Sequence, residues 1–211
     1  MRNLKVLGVI GSFRKKGNAS FLVQKALKPF KEADIETELI FLRDYDIKGC
    51  NGCEGCKETY KCTVKDDMQK LYPLILEAEA IILGSPTYFY NMSADMKAFI
   101  DRCYCFNVFD DEDRSVWTSL NEVLGVKYAG VIAVCEQDNE AGMGVTAEAM
   151  KRSLESLGYR VISTVKALNA YKAGEVLNNK KVMDEARRAG ERLLKSIQLK
   201  ERVKNQLSIK E

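Results

Sequence analysis

Five short apolar runs divide the chain, and between them apolar residues return every three or four positions. The runs LKVLGVIG (4–11), IETELIFL (35–42), AIILG (80–84), YAGVIAVC (128–135) and YRVISTV (159–165) read as strands. The first is apolar almost throughout, which marks a strand buried on both faces, as parallel sheets require. Val23, Ala26, Leu27 and Phe30 then fall at i, i+3, i+4, i+7, one face of a helix. Met68, Leu71, Ile75 and Ala78 share a second helical face, with Pro73 expected to kink it. Met96, Phe99, Ile100 and Cys103 follow Ser93, an N-cap residue by type. Met150, Leu154 and Leu157 mark a fourth helix, and Ala186, Ala189 and Leu193 a last one from about Lys180. Residues 104–127 show neither period. They are expected to be irregular, with an acidic run DDED at 110–113 and the single tryptophan, Trp117.

Strands alternating with helices predict an α/β domain with a parallel sheet. The economical arrangement is one doubly wound, five-stranded parallel sheet of order 2-1-3-4-5 over residues 1–211. A cysteine-rich insertion interrupts it at 49–63, and a charged helix or tail follows from about residue 180. The final KERVKNQLSIKE is expected to be a solvated helix end or a fray. Ligands bind such sheets where the strand order reverses, between the carboxyl ends of strands 1 and 3.

Composition narrows the chemistry. A net charge of +3, evenly spread, gives no footprint for nucleic acid. No apolar run approaches a membrane span, and Leu4–Ile10 lacks the length and flanks of a secretion signal, so the expected location is cytoplasmic. There is no histidine. Triad-type hydrolysis is therefore disfavoured, and chemistry falls to cysteines, carboxylates or a cofactor.

Two loops reach the predicted crevice. GSFRKKGNAS (11–20) joins a strand to a helix and offers Ser12, Asn18 and Ser20 with the basic Arg14. A helix start of that kind suits a phosphate group, although the same residues also serve as ordinary caps. In GSPTYFYNMSA (84–94) a proline and three aromatics follow a strand end, which suits a planar ring. A phosphate loop beside a ring loop describes a mononucleotide with a flat head, and FMN has that shape.

Four of the seven cysteines crowd into Cys50, Cys53, Cys56 and Cys62, spaced C-x₂-C-x₂-C-x₅-C. Disulfides rank last, because such spacing strains them and the expected compartment is reducing. Structural zinc usually takes two Cys-x₂-Cys pairs set further apart. A third ligand two residues after the second resembles the run that holds [4Fe–4S] clusters, with loop thiols as the plain alternative. Cys103, Cys105 and Cys135 are expected in the core, and DDED as a solvated loop rather than a cation site.

These segments resemble the NADPH-dependent FMN reductase family of flavodoxin-like proteins, and within it the iron–sulfur flavoproteins. The pattern G-S-x-R-x-x-G-N-x-S lands on Gly11, Ser12, Arg14, Gly17, Asn18 and Ser20. S-P-x-Y lands on Ser85, Pro86 and Tyr88, and K-xxx-D-R on Lys97, Asp101 and Arg102. The resemblance implies that Ser12, Arg14, Asn18, Ala19 and Ser20 hold the FMN phosphate, and that Pro86, Thr87, Tyr88, Phe89, Tyr90 and Asn91 contact the isoalloxazine ring. Glu136 is a further candidate contact, in a loop whose Glu136, Gln137, Asp138 and Asn139 depart from the family's small, glycine- and serine-rich segment. It further implies electron transfer between FMN and one [4Fe–4S] cluster on the four cysteines, a ferredoxin-like or NAD(P)H donor and a small-molecule acceptor. A cluster-free NAD(P)H-dependent reductase of quinones or free flavin is the first alternative, and a non-enzymatic flavin- or metal-binding module the second. Tyr104, Phe106, Phe109 and Trp117, with no predicted element to bury them, suggest a homodimer or homotetramer. Their stretch is expected near the flavin or at the subunit contact.

Overall fold

A computed structural model describes residues 4–207. In chain order the elements are β1 (Lys5–Ile10), α1 (Asn18–Glu32), β2 (Glu36–Phe41), α2 (Met68–Glu77), β3 (Ala80–Tyr88), β4 (Asn91–Met92) and α3 (Ala94–Arg102). There follow β5 (Asn107–Phe109), β6 (Trp117–Ser119), α4 (Leu120–Leu124), β7 (Lys127–Val134), α5 (Glu140–Met143), α6 (Thr146–Ser156), β8 (Tyr159–Ala167) and α7 (Lys180–Gln206). The main sheet runs β2-β1-β3-β7-β8, parallel throughout, and β4 adds to β3 as an antiparallel partner. The five long strands keep the expected relative order. The sheet is nonetheless six-stranded rather than five, because β3 runs on through Pro86 and turns back into β4.

The sheet carries apolar residues on both faces. In β1, Leu7 and Val9 enter one core with Leu71, Phe99 and Met150, while Val6 and Ile10 enter the other with Val23, Phe30 and Leu193. This alternation, buried on each side, is why β1 reads as a continuous apolar run. Helices α2, α3 and α6 cover the first face, and α1 and α7 the second. Glycine makes the tightest of these contacts: a Cβ on Gly190 of α7 would lie 1.9 Å from the Ala26 carbonyl oxygen of α1. Helix α2 continues through Pro73 to Glu77. Helix α7 carries the charged tail as far as Gln206, and residues 208–211 of that tail lie outside the described residues.

The 104–127 stretch departs from the expectation of irregularity. Strands β5 and β6 pair as an antiparallel hairpin, and Ser119 starts α4 with a capping box to Glu122. Periodicity cannot reveal strands of three residues. The aromatics pack on this hairpin: the Tyr104 and Phe109 rings stack at 5.6 Å, Trp117 follows at 6.3 Å from Phe109, and the Arg114 guanidinium sits 4.5 Å from the centre of the Phe109 ring. Phe106 is buried in the core. The acidic run forms the hairpin's turn, where Asp110 accepts the amides of Glu112 and Asp113.

Candidate functional site

At the carboxyl ends of β1, β3 and β7 lies a cleft of about 790 Å³, within the usual range for a small-molecule site. Ser12, Arg14, Gly17, Asn18 and Ala19 line one end, and Pro86, Thr87, Tyr88, Phe89 and Tyr90 another. Glu136 lines it from the third loop. Ser20 and Asn91 are not among the lining residues: Ser20 is buried and accepts a bond from Gln24, and Asn91 pairs with Tyr88 in the β3–β4 hairpin.

The first turn of α1 follows Gly17, and no side chain caps it. Helix-start amides left free in this way attract an anion. The Ser12 hydroxyl accepts the Arg14 amide at 3.2 Å, and Arg14 donates to the Tyr171 carbonyl at 3.0 Å. Asn18 lines the cleft and also makes bonds that the sequence did not reveal. Its amide nitrogen donates to the carbonyls of Ala170 and Lys172, and its oxygen accepts the Val176 amide. The side chain thus ties α1 to the loop after β8.

The ring loop is a tight hairpin. Tyr88 pairs with Asn91, and Phe89 and Tyr90 between them take φ of 45° and 64°. Two positive φ values are those of a type I′ turn, which usually calls for asparagine and glycine. Here two aromatics occupy it, at a cost of roughly 1 kcal/mol or more each. The strain is held by neighbours. The Val145 amide donates to the Tyr90 carbonyl at 2.8 Å, and Gly144, with φ of 56°, passes so close that a Cβ there would lie 2.4 Å from that carbonyl oxygen. Phe89 is 98% exposed, the opposite of a core aromatic. The Thr87 hydroxyl is buried on the cleft wall and has no hydrogen-bond partner. Below the loop, the Ser93 hydroxyl donates to the Gly11 carbonyl at 2.6 Å and accepts the Met96 amide, so one side chain caps α3 and joins the two loops. Sequence reasoning missed Gln137, Ala170 and Tyr171 on the cleft wall. The topology offered a signal, because every loop after a parallel strand leaves the same edge.

The four cysteines line a separate cavity of about 200 Å³ with Thr63, Val64 and Tyr104. It shares no residue with the cleft. Among the described residues, no three His, Cys, Asp or Glu side chains converge as a single metal ion requires. The Gly55 amide and the Thr63 hydroxyl hold the Cys53 thiol below its ordinary pKa, while burial and then the three neighbouring thiols push Cys56 up. Cys103, Cys105 and Cys135 are buried as expected, and burial pushes Cys105 up to about 12. The 104–127 hairpin borders this cavity through Tyr104 and reaches the cysteine loop through a Lys57–Asp111 ion pair at 3.0 Å. None of its residues lines the cleft, which leaves the subunit contact as the expected place for this stretch.

Between Tyr45 and Asp67 the chain forms no helix or strand, and the cysteine loop is held at its base by Arg102. The guanidinium takes both oxygens of Asp66 at 2.5 and 3.1 Å, the Lys48 carbonyl at 2.9 Å and the Val64 carbonyl at 3.3 Å. Asp66 also accepts the amides of Lys48 and Met68. Both side chains of the pair are buried. Burial works against each charge, but the pairing prevails: Asp66 is held below its ordinary pKa and Arg102 above.

Residues 4–173 match the family described as NADPH-dependent FMN reductase. The iron-sulfur flavoprotein MJ1083 of Methanocaldococcus jannaschii is 46% identical over 99 residues, 47% of this chain and 51% of the relative. The chain spans about half the length of the curated relatives it matches. A FMN-dependent NADH-azoreductase from Bacillus anthracis, solved with FMN, superposes with a TM-score of 0.66 at 15% identity, covering 90% of this chain and 99% of that one. A flavodoxin from the domain Archaea superposes with a TM-score of 0.56 at 16% identity, covering 92% and 99%. Both likenesses establish the α/β flavodoxin-like fold. Among the described residues no helix is long and apolar enough to cross a membrane.

Proposed function

Because the chain belongs to the NADPH-dependent FMN reductase family, we propose that it is a flavin-dependent oxidoreductase that passes electrons between FMN in the cleft and a [4Fe–4S] cluster on Cys50, Cys53, Cys56 and Cys62. The observation that carries the flavin assignment is the cleft itself. It lies at the switch point of the sheet, with an uncapped helix start at one end and the strained aromatic hairpin at the other. Bound FMN would supply hydride and single-electron transfer, and the cluster single-electron transfer.

The residues fit those groups. Ser12, Arg14 and the first amides of α1 hold a phosphate, with Ala19 on the wall beside them and Asn18 acting through the 170–176 loop. Pro86, Thr87, Tyr88 and Tyr90 flank the ring, and the unpartnered Thr87 hydroxyl is placed to bond a ring heteroatom. Thiolates are the soft donors that cluster iron takes, and all four cysteines line one cavity, which supports the reading. Helix α3, about 13 Å long, starts just after the ring loop and ends at Arg102, which holds the base of the cysteine loop. The external donor is a ferredoxin-like protein or NAD(P)H, the acceptor a small molecule, and the working form a homodimer or homotetramer that covers the aromatics exposed around the cleft. Anaerobic purification with iron, sulfide and flavin analysis tests the reading. Flavin and NAD(P)H turnover without iron favours the cluster-free reductase. Binding without turnover from any donor favours a non-enzymatic module.

A further inference from the structure

Arg102 is more completely enclosed than its position at a helix end requires. Its side chain is fully buried, and four of its N–H groups are spoken for by Asp66, Lys48 and Val64. The fifth, on Nε, is buried with no oxygen or nitrogen partner. An unmet donor on a buried cation is expensive, and native structures rarely keep one without a reason. Cys62 lies two residues before Val64, whose carbonyl the guanidinium holds, and is one of the four thiols around the cysteine cavity. Its thiol is among the groups that raise Arg102 and the Tyr72 hydroxyl above their ordinary pKa. The unmet donor therefore sits at the Cys62 end of the loop, whose sulfur becomes anionic when iron is bound.

We propose that Arg102 is the positioning residue of the iron–sulfur site: its Nε–H donates to the anionic sulfur of the iron-bound Cys62, and that bond favours the reduced cluster. This rests on the cluster reading above. One-electron reduction adds a negative charge to the cluster, and an N–H that bonds a ligand sulfur stabilises that form more than the oxidised one. The same guanidinium fork joins Lys48, ahead of the first cysteine, to Val64 and Asp66, behind the last. It thereby closes the loop that carries all four ligands, a geometry that a lysine ammonium cannot span.

Two variants test it on the full chain, purified anaerobically. Arg102→Gln with Asp66→Asn removes both charges and keeps amide donors for the loop. Arg102→Lys keeps the charge and loses the Nε–H and the fork. Iron and sulfide per chain are measured first, then the cluster midpoint by EPR-monitored redox titration. Far-UV circular dichroism and FMN affinity serve as controls on the fold. At the wild-type midpoint, the oxidised-to-reduced ratio of the neutral pair should rise about tenfold, a downward shift of about 59 mV for one electron, with a shift of the same sign for Arg102→Lys, which also lacks the Nε–H. Iron lost from both variants, with circular dichroism and FMN affinity native, also supports the positioning role. Iron-loaded variants with the wild-type midpoint overturn the inference and leave the cluster reading standing. Collapse of the fold in both variants overturns it in favour of a merely structural ion pair. A wild-type chain without iron and sulfide overturns the cluster reading, and the inference with it.

Discussion

The cleft and the cysteine cavity are built in opposite ways. The cleft rests on the ends of β1, β3 and β7, whose ladders set its walls, and it is trimmed by short side chains such as Ser12 and Ser93. The cysteine cavity rests on a loop without helix or strand, closed by one buried ion pair and a few bonds to carbonyls. A sheet edge spreads its support over many hydrogen bonds, so single changes there have local and modest effects. A loop drawn shut by Arg102 and Asp66 concentrates its support, and single changes there act as a switch. The two regions also differ in what they leave unsatisfied. The cleft keeps an uncapped helix start and the Thr87 hydroxyl, which suit a polar ligand, whereas the cavity is lined by four thiols, the donor type proposed above for a cluster.

The sharpest way to break this contrast is Cys56→Ser. Iron per chain and the EPR signal of the reduced protein should be abolished or nearly so, while FMN affinity by titration stays within about twofold of wild type, because the cavity and the cleft share no residue. Loss of flavin together with iron would show the two regions to be one site.

Asp66→Ala comes next. Leaving Arg102 buried without its carboxylate should cost about 3–5 kcal/mol of unfolding free energy in urea. A pH series sharpens the point. Asp66 is held below its ordinary pKa when folded, so the unfolded chain binds the extra proton and the pair's contribution is complete above the unfolded value near 4. That contribution is lost as pH falls through the lower folded value. The stability gap between wild type and Asp66→Asn should be full at pH 7 and close in acid. A gap independent of pH would place the effect outside the ion pair.

On the cleft side, Gly144→Ala should weaken FMN binding by about 1–3 kcal/mol through the strained φ and the clash with Tyr90. Native iron content in that variant would keep the two regions separate. The smallest effect is expected from the phosphate loop. Ser12→Ala together with Asn18→Ala should lower FMN affinity by about 1–3 kcal/mol. The Asn18 share should appear as lost thermal stability as well, because that amide holds the 170–176 loop. Unchanged affinity by flavin titration would remove this loop from the site.

The apolar pattern alone was enough for the α/β class, the relative order of the long strands and the two loops that meet at the switch point. Both-face burial leaves an unbroken apolar run, and helices leave a 3.6-residue period, so those elements are written locally. The cysteine spacing likewise singled out a second candidate site without any structure. What the pattern could not hold were contacts between distant residues. Strand β4 and the β5–β6 hairpin exist through pairing partners, and their two- and three-residue strands carry no period. Asn18 looked like a phosphate ligand by motif, but its amide is bonded to residues more than 150 positions away. Arg102 matched a motif without a role, since its meaning lies in Lys48, Val64 and Asp66 brought to it by the fold. Local propensity and burial act between neighbours in sequence, whereas loop closure, strained turns and buried ion pairs depend on which distant groups the packed chain brings within hydrogen-bond reach.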